Sequence, residues 1–263
     1  MQNYQFLKIE KSAHLAVVTL NRPEVRNAVT TAFLEEIEHC GLSFREDGET
    51  RVVIFTGAGK HFCAGADLNE FKRTDDESMI LKRRRLRVGE RVLQAILGMD
   101  QITICAWNGG AIGGGGCIAT ATDFRIGSDD CFLYYPEIEL GLNLMWQSLP
   151  RTVRLVGETK AIRLAIGAEK VAAEELLQWG LIEKIVSSEE LLNAATELAE
   201  TYINKPPIAA QMIKRSVNAI GRQLDGALMH MDADQHFLAS QSADHQTAVD
   251  AYINKQKPVF TGK

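Results

Sequence analysis

Short apolar runs and helical repeats alternate along the first two thirds of the chain. Five runs are rich in apolar residues and end at Gly, Pro or Asn, which predicts strands at residues 14–20, 51–56, 101–107, 123–126 and 131–135. The runs lack strict alternation of polar and apolar residues, as is typical of parallel strands covered on both faces. Apolar residues at helical spacing predict helices at residues 33–44 and 88–97. This alternation predicts an α/β architecture.

The pattern changes in the last third of the chain. Ser187 and Glu190 have the spacing of a capping box, which predicts a helix that carries Leu191, Ala195 and Leu198 on one face. Prolines at positions 206 and 207 end this helix, and residues 208–263 predict about three further helices without a strand. We therefore predict an α/β core at residues 1–200 and a C-terminal helical region at residues 201–263.

Composition narrows the classes of function. The chain has 263 residues, 46% of them hydrophobic, and a formal net charge of -5. The high hydrophobic fraction and the small net charge disfavour a disordered chain. A sequence pI of about 5.7 does not indicate the basic surface that nucleic-acid binding needs. No apolar run reaches the roughly 18 residues of a membrane span. Five irregularly spaced cysteines indicate a reducing compartment rather than a disulfide framework. We expect a cytoplasmic protein that binds neither nucleic acid nor membrane.

Four consecutive glycines at residues 113–116 follow the predicted strand at 101–107. A helix that begins there has free amide N–H groups at its first turn, which suits an oxyanion or a phosphate. The run fits neither the P-loop nor the dinucleotide fingerprint, so a nucleotide site is disfavoured. Close packing of a helix on a strand is the structural alternative. A second small-residue turn at residues 63–67 also follows a strand, and two such turns can each direct an N–H at one oxygen.

Several motifs in this order resemble the enoyl-CoA hydratase/isomerase (crotonase) family. They are residues 20–23, Asn27-Ala28, residues 54–57 and 62–68, residues 108–111 and 113–116, Pro136-Glu137-Ile138 and Leu140-Gly141, and they continue to residues 257–260. The resemblance covers nearly the whole chain. It implies a crotonase-like spiral of ββα units with a C-terminal helical subdomain. In this family that subdomain covers the active site and packs against neighbouring subunits, so we expect a homotrimer or homohexamer.

The resemblance also implies an acyl-CoA thioester as the substrate. Matching the motifs places two oxyanion-hole amides at Ala66 and Gly114, which would stabilise the enolate of the thioester. The backbone around Ala64, Ala66 and Leu68 would line the adenine pocket. Asp67 is expected to cap a short helix at residues 68–71. No cofactor is implied beyond the coenzyme A of the substrate.

The acid/base residues depart from the family's two-carboxylate hydratases. Glu137 of the Pro-Glu motif is present, whereas Cys117 occupies the position of the second glutamate. A neutral thiol does not deprotonate water as a carboxylate does, and we expect Cys117 to be a packing residue. One glutamate suffices to move a proton between the α and γ carbons of an enolate, so an isomerase is favoured over a hydratase. A decarboxylase and a non-catalytic acyl-CoA-binding relative are the further alternatives.

Larger side chains replace a Gly-rich stretch of many hydratases at residues 143–148. Met145 and Trp146 are therefore candidate walls of the acyl pocket. Dienoyl-CoA isomerases carry an aspartate at the position of Met145, so that activity loses support. The basic run at residues 82–87 predicts a solvated helix face, with attraction of coenzyme A phosphates as the alternative. Because the chain has no HExxH or CxxC pattern, we predict no metal site.

Overall fold

A six-stranded sheet forms the centre of the protein in the computed structural model, which describes residues 3–67, 70 and 78–263. The strand order is β1-β2-β3-β4-β6-β9, and β1 pairs antiparallel with β2 while the other pairs are parallel. Its strands are β1 (Leu7–Ser12), β2 (Leu15–Leu20), β3 (Val52–Gly57), β4 (Ile102–Trp107), β6 (Phe124–Ser128) and β9 (Lys184–Val186). β2, β3, β4 and β6 overlap the predicted runs and differ from them by one or two residues at the ends, whereas β1 and β9 correspond to none of those runs.

A second, three-stranded sheet lies beside the first. It has the order β5-β7-β8 and consists of β5 (Gly110–Ile112), β7 (Phe132–Tyr134) and β8 (Val171–Ala172). β5 follows β4 after Asn108 and Gly109, so the chain passes directly from the first sheet to the second before it reaches the four glycines at residues 113–116. The predicted run at residues 131–135 therefore forms a strand of this smaller sheet.

Twelve α-helices occur in the described part of the chain. They are α1 (Thr31–Ser43), α2 (Met79–Leu86), α3 (Val88–Leu97), α4 (Gly114–Thr120), α5 (Leu149–Val156), α6 (Glu158–Ala165), α7 (Ala173–Gln178), α8 (Leu191–Ile203), α9 (Pro207–Arg222), α10 (Asp225–Met229), α11 (Asp232–Ala239) and α12 (Ala243–Ile253). Residues 208–263 hold four helices where about three were predicted. None of the helices that the structure describes is long and apolar enough to cross a bilayer.

Both faces of the central sheet are covered. Val52 and Ile54 of β3 pack with Leu191 and Ala195 of α8 on one face. The alternate residue Phe55 belongs to a larger cluster on the other face, which includes apolar residues of α1 and α3. A strand buried on both faces needs apolar residues at successive positions, which explains the missing alternation. The α/β class predicted from the sequence is confirmed.

The capping box predicted at Ser187 is wrong. The N-cap of α8 is Glu190, and no side chain caps it. The Glu190 amide N instead donates to the Ser187 carbonyl oxygen at 3.1 Å. Ser187 thus closes a turn that precedes the helix, and its side chain is not placed at the first free amides. The helix itself occupies the predicted residues, because its apolar face packs on the sheet.

The C-terminal helices dock on the α/β core through buried polar contacts. Lys214 of α9 is buried, and its Nζ lies 2.5 Å from the Gln101 carbonyl oxygen and 2.6 Å from Asp123 Oδ2. His245 of α12 binds the Leu140 carbonyl oxygen through Nδ1 at 2.6 Å. These contacts join residues after 200 to residues before 150. The division at residue 200 remains a prediction.

Candidate active site

Two turns that are distant in sequence lie side by side. The Cys63 amide N donates to the Gly110 carbonyl oxygen at 3.1 Å, and the Ile112 N donates to the Cys63 carbonyl oxygen at 2.9 Å. A methyl group at Gly65 would lie 2.6 Å from the Ile112 carbonyl oxygen and 3.7 Å from the Gly114 N. The turn after β3 therefore packs against the start of α4, as the pair of small-residue motifs predicts.

Each turn presents a backbone amide without a hydrogen-bond acceptor in the described part of the chain. Gly65 has φ +81°, and its carbonyl oxygen accepts from the Val29 N at 2.8 Å, which fixes the peptide before Ala66. Gly113 has φ +51° and is the N-cap of α4, so the Gly114 N–H belongs to the free first turn of that helix. A side chain is strongly disfavoured at such φ values, which explains glycine at both positions. The amides of Ala66 and Gly114 are thus free to bind a ligand oxygen.

The carboxyl group of Glu137 is placed beside this pair of turns. Glu137 begins the 3-10 helix Glu137–Leu140 directly after Pro136. A methyl group at Gly113 would lie 2.7 Å from Glu137 Oε1, so the carboxyl group occupies the space that the glycine leaves. Glu137 Oε2 is buried and has no hydrogen-bond partner among the described residues. Burial raises the pKa of Glu137 to about 7, against 4.5 for an ordinary glutamate.

Cys117 lies on α4 next to Glu137. Its side chain is 2% exposed, and burial raises the pKa of its thiol well above the ordinary range. The negative charge of Glu137 raises this pKa further, which reports the closeness of the two groups. A thiol in this environment stays neutral and is a weak nucleophile. This environment agrees with the expected packing role.

The Trp146 indole packs against the start of α4. Its Cη2 atom would lie 2.3 Å from a methyl group at Gly114, and its Cε2 atom 1.9 Å from one at Gly89. The indole thus fills a slot between α3 and α4 that exists because both positions are glycine. Trp146 is buried, and its neighbour Met145 is half-buried against the same core cluster. Of the two predicted wall residues, Trp146 is the one that contacts Gly114.

The residues predicted to bind coenzyme A in and after the turn at residues 63–67 are only partly described by the structure. Ala64 is half-buried, and its N donates to the Arg26 carbonyl oxygen at 2.9 Å. Leu68 and the rest of the helix expected at residues 68–71 lie outside the described residues, except Glu70, whose N donates to the Asp67 carbonyl oxygen at 2.9 Å. The carboxylate of Asp67 lies 3.3 Å from Arg22 Nη1, so Asp67 has an ion-pair partner besides any capping role.

The basic run forms an exposed helix, as predicted. Residues 82–86 belong to α2, which buries none of its side chains. Arg83 forms a two-bond pair with Asp234 of α11, and Arg87 pairs with Glu90 at 3.1 Å. Part of this basic charge is therefore used for contacts within the chain.

The sequence analysis missed Gly89 and Gln147. Gly89 lies in the middle of a helical apolar pattern, where glycine is unfavourable, and this cost signals a close packing contact. Gln147 carries no comparable signal in the sequence. In residues 3–67, 70 and 78–263, no group of three His, Cys, Asp or Glu side chains is arranged to hold a metal ion.

Comparisons with known proteins agree with the motifs. The family model described as Enoyl-CoA hydratase/isomerase matches residues 10–263. The chain belongs to the enoyl-CoA hydratase/isomerase family. A short-chain-enoyl-CoA hydratase of Clostridium acetobutylicum is 34% identical over 95% of each chain. A 1,2-epoxyphenylacetyl-CoA isomerase of Escherichia coli is 28% identical over the full length of both. The expectation of a lyase or isomerase of this family is confirmed.

Solved structures of this family share the fold. An enoyl-CoA hydratase from Bacillus anthracis matches with a TM-score of 0.77 at 29% identity, over 98% of this chain and 100% of that one. An enoyl-CoA hydratase from Mycobacterium avium matches with a TM-score of 0.86 at 23% identity, over 98% and 100%. The predicted crotonase-like fold is therefore confirmed.

Proposed function

We propose that the protein is an enoyl-CoA isomerase that moves a proton within an acyl-CoA thioester. The observation that carries this proposal is the buried carboxyl group of Glu137 beside Gly113, with a neutral thiol at Cys117 on the adjoining helix. By the family resemblance, Cys117 occupies the position at which hydratases with two catalytic carboxylates have their second glutamate. One acid/base group beside two free amides suits proton transfer between two carbons of the same substrate.

The two free amides would stabilise the negative charge that forms during the reaction. The thioester carbonyl oxygen of a 3-enoyl-CoA accepts hydrogen bonds from the Ala66 and Gly114 N–H groups. The Glu137 carboxylate removes a proton from the α carbon, and the electron pair forms a dienolate whose charge rests on that oxygen. Glu137 then returns the proton to the γ carbon, which gives the 2-enoyl-CoA. Loss of one such N–H donor costs on the order of 3 kcal/mol of transition-state stabilisation.

The pKa of Glu137 suits both halves of this cycle. A pKa of about 7 leaves a substantial fraction of the carboxylate form at neutral pH and still makes the protonated form a useful acid. The reaction consumes no external proton, so one residue serves as base and as acid. It needs no cofactor besides the coenzyme A of the substrate. We place Ala64 and Leu68 in the coenzyme A site, and Met145 and Trp146 at the acyl group.

Hydration of a 2-enoyl-CoA is the second candidate. The hydratase of Clostridium acetobutylicum and a crotonyl-CoA hydratase of Syntrophomonas wolfei, at 34% and 32% identity, favour it by their names. Glu137 would then activate water without help from a second carboxylate. A decarboxylase and a non-catalytic acyl-CoA-binding protein are the less favoured alternatives to isomerisation and hydration.

Two substrates offered separately distinguish the candidates. The purified protein is given a 3-enoyl-CoA and, in another cuvette, a 2-trans-enoyl-CoA, while the absorbance of the conjugated thioester is followed. We expect the absorbance to rise with the first substrate, since isomerisation creates the conjugated double bond. A fall with the second substrate and no change with the first would establish hydration and contradict the isomerase.

We also propose that the protein forms a homotrimer or homohexamer in the cytoplasm. The support for assembly is a set of exposed apolar side chains on the C-terminal helices: Ile208, Met212, Val217, Ile220 and Leu228. Ile220 and Leu228 also line an open cavity of about 400 Å³ together with residues of α5. Exposed apolar side chains that line a common cavity, as Ile220 and Leu228 do, are typical of interaction sites. The five cysteines are all free, which agrees with a reducing compartment.

A further inference from the structure

Two consecutive residues beside the proposed active site have an unfavourable backbone conformation. Trp146 has φ +68° and Gln147 has φ +55°, and neither is glycine. A bulky residue in the left-handed region is strained, and it persists only where surrounding contacts hold it. This turn positions the indole that packs on Gly114, so the contacts that hold it also determine where the indole lies.

Three side chains, two from α3 and one from α11, hold Gln147. The Gln147 N donates to Asp232 Oδ2 at 2.5 Å, and its Nε2 donates to Glu90 Oε1 at 2.8 Å. Gln94 Nε2 donates to Gln147 Oε1 at 3.0 Å. Glu90 and Gln94 are four residues apart on α3, the helix whose Gly89 makes room for the indole. The contact to the strained main chain itself comes from Asp232 of α11.

Asp232 is buried and makes two hydrogen bonds to the segment at residues 143–147. Its side chain is 2% exposed, and its own carbonyl oxygen accepts from Asn143 Nδ2 at 3.2 Å. The first residue of α11 is therefore bound to both ends of the segment at residues 143–147. Burying a carboxylate is costly unless it is hydrogen-bonded, so the short bond to the Gln147 amide explains its presence here.

We propose that Asp232 is a positioning residue that sets the acyl-chain selectivity of the enzyme through Trp146. Its carboxylate holds the strained turn at residues 146–147, and the turn keeps the indole against Gly114. This inference rests on the proposed function, because it takes Gly114 to be one of the amides at the thioester. Without the carboxylate, the turn relaxes, the indole leaves its slot, and the acyl space beside Glu137 becomes larger.

The first measurement compares a four-carbon and a ten-carbon enoyl-CoA substrate by kcat/KM. In Asp232→Ala, we expect the ratio of ten-carbon to four-carbon kcat/KM to rise about tenfold. Trp146→Phe should shift the ratio in the same direction, and the double variant should add little to it. Asp232→Asn keeps an acceptor oxygen for the Gln147 amide and should retain the wild-type ratio. Asp234→Asn, on the same helix but bound to Arg83 at the surface, is the matched control.

The second measurement needs no substrate. The protein is labelled with 5-fluorotryptophan, and its three tryptophans give three fluorine resonances, of which Trp146→Phe identifies one. We expect Asp232→Ala to move the Trp146 resonance and to leave the other two in place. If Asp232→Ala does not fold, Asp232→Ser has the same expected result, since its shorter hydroxyl does not reach the amide.

The outcomes separate this inference from the proposed function. An unchanged Trp146 resonance together with an unchanged substrate ratio overturns the role of Asp232. An equal loss of activity on both substrates with no resonance shift also overturns it, because that describes a residue needed only for stability. A wild-type protein inactive on both substrates refutes the proposed function, and the fluorine spectrum still decides whether Asp232 holds Trp146.

Discussion

At the scale of single residues, the buried carboxyl group of Glu137 makes the stability of the fold depend on pH. The pKa of Glu137 is raised from 4.5 to about 7, so the folded protein favours the protonated carboxyl. Below pH 4.5 the carboxyl is protonated in both the folded and unfolded chains, and burial carries no charge cost. Between the two values folding takes up a proton, and above pH 7 the folded protein must bury the charge. Glu137 therefore destabilises the fold increasingly between pH 4.5 and about 7, and by a constant amount above that range.

Glu137→Gln should consequently stabilise the protein at alkaline pH. We expect its free energy of unfolding to exceed that of the wild type by at most about 3 kcal/mol at pH 8. The difference should vanish near pH 4. Urea unfolding at the two pH values measures both, and Glu139→Gln, two residues away and exposed, is the control. An equal effect of Glu137→Gln at both pH values would contradict the raised pKa.

Cys117 is the residue that, under the proposed function, distinguishes the two candidate reactions. Cys117→Glu places a second carboxylate beside Glu137, where it can hold and polarise a water molecule. We expect the ratio of hydration to isomerisation to rise about tenfold or more, with a loss of stability because a larger side chain enters a packed site. Cys117→Ala should leave the ratio unchanged, since the thiol is neutral. Both rates come from the absorbance assay, and a ratio that does not respond to Cys117→Glu would exclude this position from the choice of reaction.

At the scale of whole elements, one buried ion pair attaches α9 to the central sheet. Lys214 Nζ lies 2.6 Å from Asp123 Oδ2, and the same carboxylate oxygen accepts from the Thr103 N and Oγ1. Its neighbour Arg215 pairs with Asp100 on an open surface, where its side chain is 74% exposed. The two adjacent pairs differ mainly in burial, so they form a matched comparison.

Lys214→Met should cost about 3 kcal/mol of stability, because it leaves the Asp123 carboxylate unpaired while keeping most of the packing of the side chain. Arg215→Met should cost less than about 1 kcal/mol. Denaturant unfolding of both variants measures the difference. Equal effects would mean that the Lys214 pair does not anchor the helix.

Elements with a long apolar pattern and the meeting of the two small-residue turns could be predicted from the sequence, whereas side-chain contacts such as the slot for Trp146 could not. The strands β2, β3 and β4 and the helices α1 and α3 follow from their buried apolar residues, since burial is what each pattern records. The error at Ser187 arose because a capping box needs a backbone geometry that spacing does not specify. The slot for Trp146 depends on Gly89 and Gly114, which lie 57 and 32 positions before it, and no local pattern reports such a meeting.

At the scale of the whole molecule, exposed apolar side chains on the C-terminal helices support the proposed assembly. Ile220 is 74% exposed and Leu228 is 65% exposed, which is unfavourable for a protein that stays monomeric. A second copy of the chain is the partner that the family resemblance implies. Burial of this face between subunits would remove apolar surface from water and stabilise the assembly.

Light scattering after size-exclusion chromatography should therefore give three or six times the chain mass of 29.1 kDa. Ile220→Asp should lower that mass or weaken the assembly on dilution, because it places a charge on the apolar face. A wild-type protein that elutes with the mass of one chain would refute the proposed assembly.

We propose that Glu137 moves the proton of an acyl-CoA thioester bound at the Ala66 and Gly114 amides. The most direct test of this proposal is the rate at which wild-type protein, Glu137→Gln and Glu139→Gln convert a 3-enoyl-CoA to the conjugated product, with coenzyme A binding measured in parallel. We predict that Glu137→Gln loses at least about a thousandfold in kcat and still binds coenzyme A, while Glu139→Gln remains active. Turnover by Glu137→Gln at a rate near that of the wild type would show that Glu137 does not carry the proton.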